Sequence, residues 1–132
     1  MATMIPDAVG AGKSIGERMM FDRLQLLPDD CIVYYEPIID GRYPDFVVIL
    51  PDNGLLVIEC KGWRASQIVG GDTSIVSVRD SQGGVERATS PVRQAREYMH
   101  GLMNRCRKHP SSSLLLNGPG PHEGRFVFPF GS

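Results

Sequence analysis

The most informative segment of the chain is residues 44–63, which read PDFVVILPDNGLLVIECKGW. It contains two apolar runs rich in β-branched residues, Phe46 to Leu50 and Leu55 to Ile58, separated by the segment Pro51 to Gly54. Apolar runs of this length on either side of a proline- and glycine-containing turn are typical of a β-hairpin. We therefore predict two neighbouring antiparallel strands in the core of the protein.

The predicted strands carry charged residues only at the open end of the hairpin. Asp45 precedes the first strand, and Glu59 and Lys61 end the second. A three-residue loop at Asp52 to Gly54 predicts that Asp45 lies opposite Lys61, with Glu59 as a diagonal neighbour on the same face. A four-residue loop would turn Asp45 to the other face, because side chains alternate along a strand.

Two carboxylates and an ammonium at the end of an apolar hairpin indicate a metal site. Buried charges are costly unless they are paired or bound to a metal, and Mg²⁺ prefers hard oxygen ligands. We interpret Asp45 and Glu59 as metal ligands and Lys61 as the group that orients an attacking water or offsets charge on a phosphate. The alternative, which the residues alone leave open, is a strand end whose charges point into solvent.

Residues Ser14 to Leu27 are predicted to form the first helix. Ser14 and Glu17 fit the capping box Ser-x-x-Glu. Glu17 also begins a buried stripe that continues at Met20, Phe21, Leu24 and Leu27. A carboxylate on this stripe points toward the charged end of the hairpin, so Glu17 is expected to cap the helix, to contribute to the metal site, or to do both.

The other predicted elements complete a mixed α/β fold. They are a strand at Cys31 to Glu36, a β-ribbon at Ile68 to Val69 and Ser74 to Arg79, a mobile loop at Asp80 to Thr89, a helix at Ser90 to Cys106 and a strand at Arg125 to Phe130. Both faces of the hairpin are apolar, which is typical of a central sheet covered on two sides. We expect a central mixed sheet flanked by helices.

Length and composition exclude several classes of protein. The chain has 132 residues and a net charge of −1, which indicates one domain without a global attraction to nucleic acid. Three widely spaced cysteines without metal-ligand spacing favour a reduced, cytoplasmic protein. Because the chain has neither a long apolar run nor a signal-peptide core, we expect neither membrane insertion nor export.

Residues 1–13 are expected to be a flexible lead-in to a domain at 14–132. The segment Gly10 to Ser14 resembles the end of a phosphate-binding loop. The first glycine of that motif would fall at Asp7, and too few residues precede it for the strand that the motif requires. Nucleotide binding through Gly10 to Ser14 is therefore only a third functional hypothesis.

The pattern Pro44-Asp45 followed by Glu59-Cys60-Lys61 resembles the PD-(D/E)xK motif of metal-dependent nucleases. The closer resemblance is to the nuclease-related domain (NERD) branch of that superfamily, and it spans roughly Ser14 to Phe130. Four segments carry it: GE at 16–17, PDFVV at 44–48, GLLVIECKG at 54–62 and QAREY at 94–98. The resemblance implies a restriction-endonuclease-like α-β-β-β-α-β core.

The same resemblance implies a Mg²⁺- or Mn²⁺-dependent nuclease that hydrolyses DNA phosphodiester bonds in DNA processing or repair. It implies that Asp45, Glu59 and the backbone carbonyl of Cys60 bind the metal. Glu17 would complete the carboxylate set directly or through water, and Lys61 would position the attacking water.

Two residues of the second helix gain a role by similarity to exonuclease-like members of the superfamily. There, a Gln-x-x-x-Tyr pair lies next to the metal site, which implies this position for Gln94 and Tyr98. Gln94 would orient Lys61 or a metal-bound water. The alternative is an amide and a phenol at a half-exposed helix edge.

Six side chains are candidates for contact with DNA: Tyr98, Trp63, Arg64, Arg105, Arg107 and Lys108. Trp63 can stack on a base and Arg64 can hold a phosphate, although the single Trp of a small domain is at least as often a core residue. The basic residues at the end of the second helix are first of all a favourable complement to its dipole, and only secondarily candidates for contact with the DNA backbone.

NERD domains often precede a helicase-type region. We therefore expect DNA and a helicase domain, in cis or in trans, as partners, and a chain truncated from a longer helicase-containing protein. The alternative function is a non-catalytic DNA-binding or targeting module of such a protein. The near-neutral charge argues against tight DNA binding by this domain alone and favours dependence on a partner domain.

Overall fold

A computed structural model describes residues 1–132 as two β-sheets and two long helices. The helices are α1 (Ile15–Gln25) and α2 (Pro91–Arg107). The strands are β1 (Thr3–Ile5), β2 (Ile32–Tyr35), β3 (Phe46–Leu50), β4 (Gly54–Ile58), β5 (Ile68–Gly71), β6 (Ile75–Arg79), β7 (Val85–Thr89) and β8 (Phe130–Gly131). Short 3-10 turns occur at Ala65–Gln67 and Ser113–Leu115. No helix is long and apolar enough to cross a membrane.

The larger sheet has the strand order β1-β2-β3-β4-β8. Strands β2, β3 and β4 are antiparallel neighbours, whereas β1 is parallel to β2 and β8 is parallel to β4. Strands β5, β6 and β7 form a separate antiparallel sheet. The predicted mixed α/β fold with a central sheet is confirmed.

Alternation along the central strands supplies two cores, one on each face of the sheet. Phe46 and Val48 pack with Phe21 of α1 on one face, whereas Val47 and Val57 pack with α2 on the other. Both faces of β3 are apolar, and exposing either of them to water would be unfavourable. The sheet is therefore covered on both sides. The prediction that both faces of the hairpin are apolar and covered is confirmed.

The register of the hairpin differs from the prediction. Phe46 pairs with Ile58 and Leu50 pairs with Gly54, so the loop is Pro51 to Asn53. The pairing ends at Phe46 and Ile58, and this register would set Asp45 opposite Glu59 rather than Lys61. The shift moves the pairing by two residues. Because side chains alternate with a period of two, the shift leaves the side chains of the paired residues on the faces that the predicted register gives them.

Both helices begin where the capping residues predict. Ser14 is the N-cap of α1, and its side chain and that of Glu17 form a complete capping box. Ser90 is the N-cap of α2, where its hydroxyl accepts a hydrogen bond from the Val92 amide, and Pro91 occupies the first helical position.

Three peripheral predictions are wrong. The expected lead-in at residues 1–13 contains β1, and Met4 of this strand and the preceding Ala2 bury their side chains in the core. The expected loop at Asp80 to Thr89 contains β7, whose mostly exposed residues pair with all five residues of β6. The expected strand at Arg125 to Phe130 is reduced to β8 and a single bridge between Leu116 and Phe126.

Candidate functional site

The candidate site lies at the open end of the β3–β4 hairpin, below the first turn of α1. A Cβ atom placed on Gly16 would lie 3.7 Å from the Lys61 carbonyl oxygen, which shows how closely the helix approaches the chain after β4. This approach brings Glu17 to the strand ends, as the stripe on the helix predicts.

Three carboxylates meet at this point and form what we call the acidic cluster: Glu17, Glu36 and Asp45. One carboxylate oxygen from each lies within 4.8 Å of the others, and all three residues are partly buried. A donor set made only of carboxylate oxygens matches the ligand preference of Mg²⁺ and Mn²⁺. These residues can therefore hold a divalent cation.

Glu17 both caps its helix and faces the acidic cluster. Its Oε2 accepts a hydrogen bond of 3.0 Å from the Ser14 amide, and its Oε1 accepts one of 3.3 Å from the Tyr35 hydroxyl. Burial raises the pKa of Glu17, but the Ser14 hydrogen bonds and the nearby Lys13 ammonium outweigh this effect and leave it below its usual range. Glu17 is therefore ionised at neutral pH.

Asp45 is the most perturbed carboxylate of the site. Its Oδ2 accepts a hydrogen bond of 2.7 Å from the Cys60 amide, which ties it to the end of β4. Burial, followed by the charges of Glu59 and Glu17, raises the pKa of Asp45 to about 6, against the opposing effects of the Cys60 amide and Lys61. A cation in the acidic cluster would offset this repulsion.

Glu36 is a site residue that the sequence analysis missed. It directly follows β2 with φ 49°, and its amide donates a 2.8 Å hydrogen bond to the Asp45 carbonyl. Its carboxylate forms an ion pair with Lys13. The sequence does contain a signal for this position. Glu36 is the first polar residue after β2, and β2 ends next to the start of β3, where Asp45 lies.

Lys61 is held by two acceptors on the α2 side of the site. Its Nζ donates to Glu59 Oε1 at 3.0 Å and to Gln94 Oε1 at 2.8 Å, and Gln94 Nε2 donates to the Tyr98 hydroxyl at 2.9 Å. Gln94 and Tyr98 are thus brought to Lys61. The ammonium is positioned by a continuous chain of hydrogen bonds.

Glu59 has an unusual environment. Its side chain is only 6% exposed, and its Oε2 is buried without any hydrogen-bond partner. An unpaired buried carboxylate oxygen is costly, so this atom has the capacity to bind a further donor or cation. Glu59 is not a member of the acidic cluster. Its sharing of a metal with Asp45 and the Cys60 carbonyl stays a prediction.

Of the six predicted DNA-contact residues, Tyr98 lies beside Gln94 and the other five divide into two groups. Trp63 is half-buried, and its ring centroid lies 5.9 Å from Lys61 Nζ, so Trp63 and the exposed Arg64 are close to the site. Arg105, Arg107 and Lys108 lie at the other end of α2, where Arg105 pairs with Asp40 at 3.9 Å. Helix geometry places them about 16 Å or more beyond Gln94 along the axis.

Comparison with known proteins identifies the family. The nuclease-related domain model matches residues 12–129, which is most of the chain and includes every residue of the site described above. Searches of curated proteins and of solved structures found no match. The chain belongs to the nuclease-related domain (NERD) family.

Proposed function

We propose that this protein is a Mg²⁺- or Mn²⁺-dependent nuclease that hydrolyses DNA phosphodiester bonds in DNA processing or repair. The observation that carries the proposal is the acidic cluster beside a Lys61 ammonium fixed by Glu59 and Gln94. Family membership supports a nuclease-related role.

The donor set determines which residues would hold the metal. Glu17, Glu36 and Asp45 offer converging oxygens, and the Glu59 Oε2 atom and the Cys60 carbonyl are further candidates. A bound divalent cation supplies Lewis-acid stabilisation of charge on the phosphate.

The Lys61 ammonium then has two uses. It can hold a water molecule in line with the phosphorus atom, and it can offset negative charge that develops on the phosphate oxygens. Its two hydrogen bonds restrict its rotamers before substrate arrives, which reduces the entropy lost in reaching a reactive geometry. Gln94 positions Lys61, and Tyr98 positions Gln94.

Incubation with labelled single-stranded, duplex and nicked DNA over a series of Mg²⁺ and Mn²⁺ concentrations tests the proposal. We expect metal-dependent cleavage, its loss in Lys61→Ala, and unchanged Mn²⁺ binding in that variant by electron paramagnetic resonance. Arg23→Gln, an exposed α1 position with the same change in charge, is the control. Full activity in Lys61→Ala would refute its role.

A second candidate is a non-catalytic DNA-binding or targeting module of a larger helicase-type protein. The ion pair between Lys13 and Glu36 favours it, because an internal ammonium already compensates part of the charge of the acidic cluster. The net charge of −1 also favours dependence on a partner domain for DNA affinity. DNA binding without cleavage under every metal condition would support this candidate over the nuclease.

A further inference from the structure

Lys61, Gln94 and Tyr98 form a series of hydrogen bonds that we call the Lys61 chain. A polar groove of about 440 Å³ lies beside it and is lined by Arg42, Tyr43, Thr89, Gln94, Glu97 and Tyr98. We call it the Tyr43 groove. Gln94 belongs both to this groove and to the Lys61 chain, since its two amide atoms bond to Lys61 and to Tyr98. A ligand in the groove would therefore lie next to the ammonium that is proposed to act on the phosphate.

A tight turn fixes the outer wall of the groove. The backbone groups of Ile39 and Arg42 exchange two hydrogen bonds of 2.9 Å, and the residues between them, Asp40 and Gly41, have φ values of 49° and 72°. Positive φ at both central positions defines a type I′ turn, for which Asp-Gly is a favoured sequence. Ile39 also packs against the α2-side core, which anchors the turn, and Tyr43 directly follows its last residue, Arg42.

Tyr43 has the exposure expected of a stacking platform. It is 60% exposed although it lies only two positions before Asp45 in the chain. An aromatic ring of this kind stacks on a nucleobase of any sequence. A base in a duplex has both faces covered by its neighbours, so only an unpaired base can use the ring fully.

Arg42 is available to a phosphate. Its Nη1 atom lies 4.0 Å from Glu97 Oε2, whereas Arg93 holds the other oxygen of Glu97 at 2.9 Å. Glu97 therefore keeps a closer partner when Arg42 turns away. With a single loosely held cation in the groove, we expect base stacking to contribute more affinity than phosphate contact does.

We propose that the Tyr43 groove seats one unpaired nucleotide that flanks the scissile phosphate, with its base on Tyr43 and an adjacent phosphate at Arg42. This inference rests on the proposed nuclease function and specifies its substrate as single-stranded DNA or the frayed end of a duplex.

Binding of a fluorescein-labelled oligo(dT) in EDTA, measured by anisotropy, tests the groove without cleavage. We expect Tyr43→Ala to weaken binding roughly tenfold to a hundredfold and Tyr43→Phe to bind like the wild type. Arg42→Gln should lower the slope of log affinity against log salt by about 0.7, the value for one phosphate contact on a single strand. The charge-matched control Arg23→Gln should leave the slope unchanged.

Cleavage with Mn²⁺ provides the second readout. The ratio of cleavage rates on single-stranded and blunt duplex DNA should fall about tenfold in Tyr43→Ala and recover in Tyr43→Phe. If the wild type does not bind oligo(dT), or if the variants at Tyr43 and Arg42 bind it as the wild type does, the groove is not a nucleotide-binding site. Binding that depends on Tyr43 without any cleavage would refute the nuclease function but would still support nucleotide binding in the groove.

Discussion

Gln94 shows how one side chain can position another, because it holds the Lys61 ammonium through a hydrogen bond. Its oxygen accepts from Lys61 at 2.8 Å, so Gln94→Leu should release the ammonium from its position. A displacement of about 1 Å can cost on the order of a hundredfold in rate, and we expect kcat to fall 10- to 100-fold with little change in KM. Single-turnover kinetics would measure this. Gln82→Leu, the same substitution at an exposed position outside the site, is the control, and an equal loss there would contradict the assignment.

Asp45 links the site to the stability of the fold. Its pKa rises from 3.8 in the unfolded chain to about 6, so the folded state favours the protonated carboxyl group. The stabilisation that this protonation supplies is complete below pH 4 and is lost as the pH rises through 6. At pH 8 without metal, Asp45→Asn should therefore raise the free energy of unfolding by about 1–2 kcal/mol, after allowing for solvent screening.

Urea denaturation of both proteins at pH 8 and at about pH 4.5 checks this expectation for Asp45. Asparagine can still accept from the Cys60 amide, so the comparison isolates the charge. The difference between the two proteins should shrink at the lower pH, where Asp45 is protonated. A wild type more stable than Asp45→Asn at pH 8 would show that burial does not destabilise this carboxylate.

Among the elements, the hairpin depends on Gly54, the first residue of β4. Gly54 has φ 99°, and a Cβ atom there would lie 1.8 Å from the Pro129 carbonyl oxygen. Gly54→Ala should therefore destabilise the fold by about 2–4 kcal/mol, because it combines an unfavourable φ with a backbone clash. Gly101→Ala on α2, where no atom lies within 4 Å of the new methyl group, should instead stabilise by roughly 0.5–1 kcal/mol. Thermal and urea denaturation compare the two.

The small sheet shows why some elements escape a reading of the sequence. Val85 to Thr89 alternates weakly and is mostly exposed, so it has no apolar face that would indicate a strand. It becomes β7 because β6 offers five consecutive backbone partners. Pairing through backbone hydrogen bonds leaves no pattern in the side chains. The turn between β6 and β7, which is closed by a hydrogen bond from the Asp80 amide to the Gly84 carbonyl, has the sequence of an ordinary polar loop.

In the molecule as a whole, the site is assembled from three parts of the fold. Helix α1 supplies Glu17, the neighbouring ends of β2 and β3 supply Glu36 and Asp45, and α2 supplies Gln94. A metal bound to the folded state alone should stabilise the whole assembly. At a concentration of Mn²⁺ about 100-fold above Kd, we expect a gain of about 2.7 kcal/mol in the free energy of unfolding.

Thermal denaturation with and without Mn²⁺ measures this gain, and Glu36→Gln tests the residue that the sequence analysis missed. A tenfold loss of affinity would remove about 1.4 kcal/mol of the stabilisation. Glu123→Gln, an exposed position outside the site, has the same charge change and should behave like the wild type. An unaltered gain in Glu36→Gln would exclude Glu36 from the metal site.

Local patterns in the chain were sufficient for the hairpin, both helices, the faces of the central strands and the gathering of Glu17 and Asp45 at one edge. Periodicity and capping chemistry act over a few residues, so they can be read without knowing the fold. The two-residue error in register did not matter for the faces, because it preserved their parity.

Long-range pairing settled the rest. Thr3–Ile5 joins the sheet only because β2 presents a free edge, and Glu36 joins the acidic cluster only because β2 ends where β3 begins. The Tyr43 groove likewise needs a turn and a helix from distant parts of the chain. Such contacts depend on which segments meet after collapse, and no local periodicity encodes that.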